Sequence, residues 1–173
     1  GDIRWQERGP YAVGGRTRTI LIDANDPTGE TVWTAGVSGG LWKTSSISAN
    51  PPGWEIISDD FENMAICAIA QDPNDPQVMY FGTGEGLPNF DAVRGAGIWK
   101  SEDGGDNWER LSSTTGPNFR YIQRILVHPN GNVFALTRDA GILRSANGGN
   151  NWQVVFSAGV GGSNAFNDIE LAP

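Results

Sequence analysis

Two eight-residue runs, SEDGGDNW at 101–108 and SANGGNNW at 145–152, constrain the fold of this chain more than any other feature. Each follows a glycine, two apolar residues and a cation: Gly97-Ile98-Trp99-Lys100 and Gly141-Ile142-Leu143-Arg144. A third copy opens at Gly40-Leu41-Trp42-Lys43-Thr44, passes through a degenerate loop over 45–53 and ends on Trp54. The closing tryptophans Trp54, Trp108 and Trp152 are 54 and 44 residues apart. The upstream parts align as well. Residues 19–23, 68–72 and 124–128 are apolar-rich runs that lead into Ala24, Pro73 or Pro129. Residues 32–35, 78–81 and 133–136 follow, and after each tryptophan comes a last short run beginning at Glu55, Glu109 or Gln153. Every unit therefore holds four β-like runs divided by turn residues.

Four strands in roughly fifty residues is the size of one propeller blade. The expected fold is all-β, a β-propeller segment of four-stranded antiparallel blades. Composition agrees: 24 Gly and 10 Pro in 173 residues supply turns, while seven Trp provide anchors that a disordered chain lacks. Residues 59–70 contain good helix formers, but their register with two β-branched runs predicts a strand. The expected divisions are a ring-closing outer strand over 1–10, blades over 14–58, 59–113 and 114–158, and the first strand of a fourth blade over 159–173. Propellers have about four to eight blades. The expectation is that the remainder of a longer chain, or copies of this one, closes the ring.

The 12 Lys and Arg against 20 Asp and Glu leave a net charge of −8. That opposes sequence-independent binding to nucleic acid or anionic lipid, which needs clustered cations, so no nucleic-acid partner is expected. No apolar run reaches the 18 or so residues of a membrane span. Cys67 is the single cysteine and His128 the single histidine, so a zinc site of Cys and His is ruled out. Cys67, within AICAIA, reads as a small core hydrophobe. His128 takes the place of Asp23 and Asp72 and reads as a turn residue.

Ser101, Asp103, Gly105 and Trp108 fit the pattern S-x-D-x-G-x-x-W, and Ser145, Asn147, Gly149 and Trp152 fit it with an amide in the acid's place. The chain thus resembles the Asp-box (BNR-like, sortilin/Vps10-like) propellers. Trp5, Gly9-Pro10 and Gly14-Gly15-Arg16 are similar to the W-x-x-x-G-P-x-x-x-G-G-R start of large secreted Bacteroidetes-type proteins, many of which end in a type IX secretion domain. The resemblance implies a bacterial protein that is secreted or held at the cell surface. It implies a structural role for the boxes: the short acid or amide accepts turn N–H bonds, and the Trp packs between blades. Asp103, Asp106, Asp72 and Asp75 offer oxygens for calcium, but in no EF-hand spacing, so no cofactor is expected.

Function in such folds sits on the face where loops enter the inner strands and join strands two and three. Binding candidates there are Arg16 and Arg18 at the first entry, and Glu85, Phe90, Asp91 and Arg94 in the irregular insertion over 82–95. Tyr121 at the third entry, with Arg138 and Asp139 opposite, completes the set. Arginines hold carboxylates bidentately, and Arg120 and Arg124 can converge with the others. Neither a nucleophile elbow nor a zincin motif is present. The sialidase R-I-P signature is absent after Arg16, and Val37 stands where xyloglucan-cleaving Asp-box enzymes place an Asp. No catalytic residue is assigned; in a hydrolase, Glu85 and Asp91 would be the carboxylate pair. The expected role is binding or scaffolding toward a protein or glycan partner, with a glycoside hydrolase completed by carboxylates outside this chain as the alternative.

Overall fold

The computed structural model describes residues 6–9, 16–57, 61–86, 91–157 and 168–170. Three antiparallel four-stranded sheets follow one another along the chain. Sheet 1 comprises β1 (Arg16–Ile22), β2 (Val32–Val37), β3 (Gly40–Thr44) and β4 (Glu55–Ile56). Sheet 2 comprises β5 (Ile66–Gln71), β6 (Met79–Thr83), β7 (Ile98–Ser101) and β8 (Glu109–Arg110). Sheet 3 comprises β9 (Ile122–Val127), β10 (Val133–Thr137), β11 (Gly141–Ser145) and β12 (Gln153–Ser157). Of the run over 59–70, residues 61–65 carry no strand and β5 begins at Ile66. Ahead of it the Asn63 Oδ1 accepts the Ala65 N–H at 2.9 Å, so a side-chain turn delivers the chain to β5.

β5 packs against β1 on one side and β9 on the other. One face of sheet 2 sends Ile66, Ile69, Met79 and Phe81 against Trp33, Ala35 and Leu41 of sheet 1. The opposite face sends Ala68, Ala70, Tyr80 and Ile98 against Ile122, Ile125, Val127 and Val133 of sheet 3. Both faces of sheet 2 are therefore core, each large apolar side chain contributing roughly 1.5–3 kcal/mol when fully buried.

A β-bulge interrupts each inner strand at the same place. Thr17 pairs with Gly36 and Thr19 with Ala35, which leaves Arg18 unpaired. Ile66 pairs with Thr83 and Ala68 with Gly82, leaving Cys67 out. Ile122 pairs with Thr137 and Arg124 with Leu136, leaving Gln123 out. The extra residue resets the alternation of faces. That is why Ile66 and Ile69 share one core, and Ile122 and Ile125 the other.

At the far end of the sheets the two eight-residue turns share one hydrogen-bond pattern. Ser101 Oγ accepts the Gly105 N–H at 2.9 Å, and Asp103 Oδ1 accepts the Asn107 N–H at 2.9 Å. In the second turn Ser145 Oγ accepts from Gly149 and Asn147 Oδ1 from Asn151, again both at 2.9 Å. Trp108 and Trp152 each donate Nε1–H to the Gly105 or Gly149 carbonyl at 3.0 Å. Trp108 meets Trp33 of the preceding sheet edge to face, with centroids 6.3 Å apart. The entry turns repeat in the same way: Asp23, Asp72 and His128 accept the N–H of Asn25, Asn74 and Asn130.

Residues 6–9 form no strand; Arg8 O accepts the Trp54 Nε1–H at 2.8 Å, tying this run to sheet 1. The strand expected over 1–10 otherwise lies outside the described residues, as does most of the run over 159–173.

Two outcomes test the turns. Gly105 has φ +90° and a Cβ there would come within 2.5 Å of the Trp33 ring. Gly105→Ala should cost about 2 kcal/mol in urea unfolding, whereas Gly116→Ala, with open space and φ −76°, should be near neutral. The Asn107 side chain and N–H, with Ser101, lower the Asp103 carboxyl from 3.8 to about 2. Its folded pKa is depressed, so its contribution is complete above pH 3.8 and fades as pH falls toward 2. Asp103→Asn should keep the turn, as Asn147 does, and flatten the melting-temperature loss over that acid window.

Candidate functional site

The three bulges converge. Arg18, Cys67 and Gln123, one from each sheet, line a single cleft of about 230 Å3 together with Glu85, Gly86, Arg124 and Asp168. A bulge re-aims its side chain relative to a regular strand, and here each places it at the innermost strand of its sheet. Glu85 and Gly86, at the start of the loop between β6 and β7, form one wall of the cleft. Gly84 N–H bonds to Ala65 O at 2.8 Å, Glu85 N–H to Val93 O at 2.8 Å, and Gly95 N–H to Arg120 O at 2.7 Å. The insertion is thus stitched to the entries of both β5 and β9. Gly86 lies so near β9 that a Cβ would fall 1.9 Å from Gln123 Cγ, and its carbonyl accepts the Gln123 Nε2–H at 2.9 Å.

Glu85 is 1% exposed. Its Oε1 accepts from Arg16 and, at 3.0 Å, from Arg18, both on β1. This carboxylate crosses from sheet 2 to sheet 1 and joins them at the cleft. Arg16 is 57% exposed at its side chain and Arg18 only 26%, so the Arg18 pair carries more weight. On the other wall Arg124 meets Asp168 at 3.3 Å, an exposed pair. Gln123 Oε1 is buried without a hydrogen-bond partner among the described residues. Burial pushes the Cys67 thiol up to about 11, which disfavours the thiolate that a nucleophile needs.

A second cluster lies on sheet 3. The Arg138 guanidinium stacks 3.3 Å over the Tyr121 ring, its Nε donates to Asp139 at 3.0 Å, and its N–H bonds to Tyr121 O at 3.0 Å. Burial opposes the charge on Arg138, but the Asp139 carboxylate and the Tyr121 hydroxyl outweigh it and raise its pKa. The stack presents an aromatic and a cation held in one geometry.

Arg16, Arg18 and Glu85 are therefore brought together, as are Tyr121, Arg138 and Asp139. Asp91 and Arg94 lie exposed on the insertion, with Arg94 O accepting from Asn63 Nδ2 at 2.6 Å. Phe90 lies outside the described residues. Of the other arginines, Arg124 reaches the cleft, while Arg120 contributes its carbonyl. Gln123 and Gly86 escaped the reading of the sequence, and Cys67 was read only as core. One signal was present: Arg18, Cys67 and Gln123 each stand five positions before the turn residue Asp23, Asp72 or His128. Among the described residues, no group of three or more His, Cys, Asp or Glu is placed to hold a metal. Among them, too, no helix is long and apolar enough to cross a membrane.

Solved structures of low sequence identity share this architecture. An ancestral GH74 enzyme matches with a TM-score of 0.68 at 19% identity, over 87% of this chain and 20% of its own. The GH74 xyloglucanase from Xanthomonas campestris matches with a TM-score of 0.60 at 23% identity, over 82% and 21%. YCF48 bound to D1 peptide matches with a TM-score of 0.57 at 17% identity, over 83% and 40%. The sheets are blades of a β-propeller. This chain spans about a fifth of the GH74 enzymes' length and two fifths of that of YCF48. No family model matches the sequence, and no curated protein does.

The Glu85 bridge can be tested directly. Glu85→Ala leaves Arg18 without its partner inside the cleft and should cost about 3 kcal/mol in chemical unfolding. Asp91→Ala, at an exposed position, should stay within about 0.5 kcal/mol of the parent.

Proposed function

We propose that this propeller segment is a binding module of a secreted or cell-surface protein, engaging a protein or glycan partner through its bulge-side face. The observation that carries this reading is the convergence of three bulge residues, Arg18, Cys67 and Gln123, on one cleft. A bulge gives up a ladder pair, and three at equivalent places build a shaped, polar recess. The Arg138–Tyr121 stack, at the entry of the strand that carries Gln123, adds an aromatic and a cation of the type enriched where surfaces are read. The Asp-box resemblance and the W-x-x-x-G-P start support the extracellular placement. YCF48 bound to D1 peptide supports a protein partner as one form of the reading.

A glycoside hydrolase is the second reading, favoured by the likeness to GH74 enzymes. Local chemistry weighs against it. A general acid must reach its substrate, yet Glu85 is 1% exposed with Oε1 engaged by two guanidiniums. Asp91 is exposed and stands in a different setting.

The full-length protein should be screened against glycan and peptide arrays, and against soluble polysaccharides for release of reducing sugar. Tyr121→Ala and Arg138→Ala should each weaken binding at least about tenfold, with no sugar release. Sugar release by the parent that Asp91→Asn abolishes would establish the hydrolase instead.

A further inference from the structure

The cleft between the three bulges holds more positive than negative charge. Arg18 and Arg124 line it, and Arg16 stands close enough to bear on the Cys67 thiol together with Arg18 and Glu85. Against these three guanidiniums stand two carboxylates among the described residues, Glu85 and Asp168. Glu85 Oε1 takes both Arg16 and Arg18, while Asp168 meets Arg124 at Nε, 3.3 Å away. Both Nη groups of Arg124 therefore lack a partner among the described residues, and its side chain is 44% exposed. The stretches 10–15, 87–90 and 158–167 adjoin Arg16, Gly86 and Asp168 in sequence and contain no Asp, Glu, Lys or Arg. The surplus cation is a local feature of a chain whose net charge is −8.

We infer that this cleft takes a carboxylate from an acidic segment of a protein partner. The inference rests on the binding-module reading and names the chemistry that such a module recognises. A guanidinium fork matches a carboxylate with two parallel N–H bonds. Low-dielectric walls of a cleft also focus a field of one sign. Arg16, with 57% of its side chain exposed, and Arg124 are the groups within reach of a partner; Arg18, at 26%, is held by Glu85. Arg16 stands on blade 1 and Arg124 on blade 3, so the two present their donors from opposite sides of blade 2.

An acidic glycan is the rival source of the carboxylate. Sugar hydroxyls call for acceptors as well as donors. Here Glu85 Oε1 accepts from two guanidiniums, Asp168 is paired with Arg124, and Gln123 Oε1 is buried. Sugar rings also pack their C–H faces on aromatic rings, yet Tyr121, two residues before Gln123, carries Arg138 over its ring at 3.3 Å. A peptide carboxylate needs donors alone, which is what the cleft has in surplus.

Fluorescence anisotropy of labelled oligoglutamate, oligoglutamine and oligogalacturonate, titrated with the full-length protein, tests this. Oligoglutamate should bind at least about tenfold more tightly than either of the others, and more weakly as salt rises. R16Q and R124Q should each weaken that binding at least about fivefold, and R124K should restore only part of it, since an ammonium lacks the fork. R144Q, on β11 and away from the inner strands, should leave it unchanged. No binding of oligoglutamate, or binding that R16Q and R124Q leave intact, would overturn the inference. A preference for oligogalacturonate would also overturn it, in favour of the glycan. A parent that binds an uncharged array ligand through Tyr121 but ignores oligoglutamate sinks the inference and leaves the binding module standing. A parent that binds nothing at this face sinks both.

Discussion

Burial of one sheet by the next at the innermost strands is the constraint on which this structure depends. β5 has core on both faces, and its short run of Ile, Ala and Cys leaves no solvent side. A strand covered twice cannot tolerate a slip in register, because every side chain would change faces. The bulges at Arg18, Cys67 and Gln123 are compatible with that constraint because all three inner strands carry them at one level. The stack stays in register, and the bulged residues are turned together into a common cleft.

The chemistry of the cleft follows from this placement. Charge is concentrated there in a chain whose net charge is −8: Arg16, Arg18 and Arg124 face Glu85 and Asp168. The buried carboxylate is the expensive member, and two guanidiniums from the neighbouring blade offset its desolvation. Glu85 thereby locks the insertion of blade 2 to blade 1, while Gly86 and Gln123 lock it to blade 3. Residues 84–86 become a wall of the cleft through contacts to blades 1 and 3.

Much of the fold was legible in the sequence because the repeated turns encode local chemistry. Ser101, Asp103 and Gly105 make the same bonds as Ser145, Asn147 and Gly149, and the substitution of Asn for Asp is silent because only an acceptor is needed. His128 joined Asp23 and Asp72 as a turn residue for the same reason. Candidate residues on entry loops were legible in part: Arg16, Arg18 and Glu85 meet, and so do Tyr121, Arg138 and Asp139. Cys67 and Gln123 were not recognised as cleft residues. A bulge is a matter of register between paired strands, and its mark here, the three-residue spacing of Ile66 and Ile69 and of Ile122 and Ile125, does not say which way the extra side chain points. The true start of β5 was likewise hidden, because Asn63 sets it with a side-chain bond.

The central claim is that recognition belongs to the bulge-side face and structure to the opposite one. Hydrogen–deuterium exchange of the full-length protein, with and without the ligand found by array screening, tests it most directly. Binding should slow exchange in residues 16–18, 84–86, 120–124 and 137–140, and leave the turns at 101–108 and 145–152 unchanged. Protection confined to those two turns, with the bulge-side segments unaltered, would contradict it.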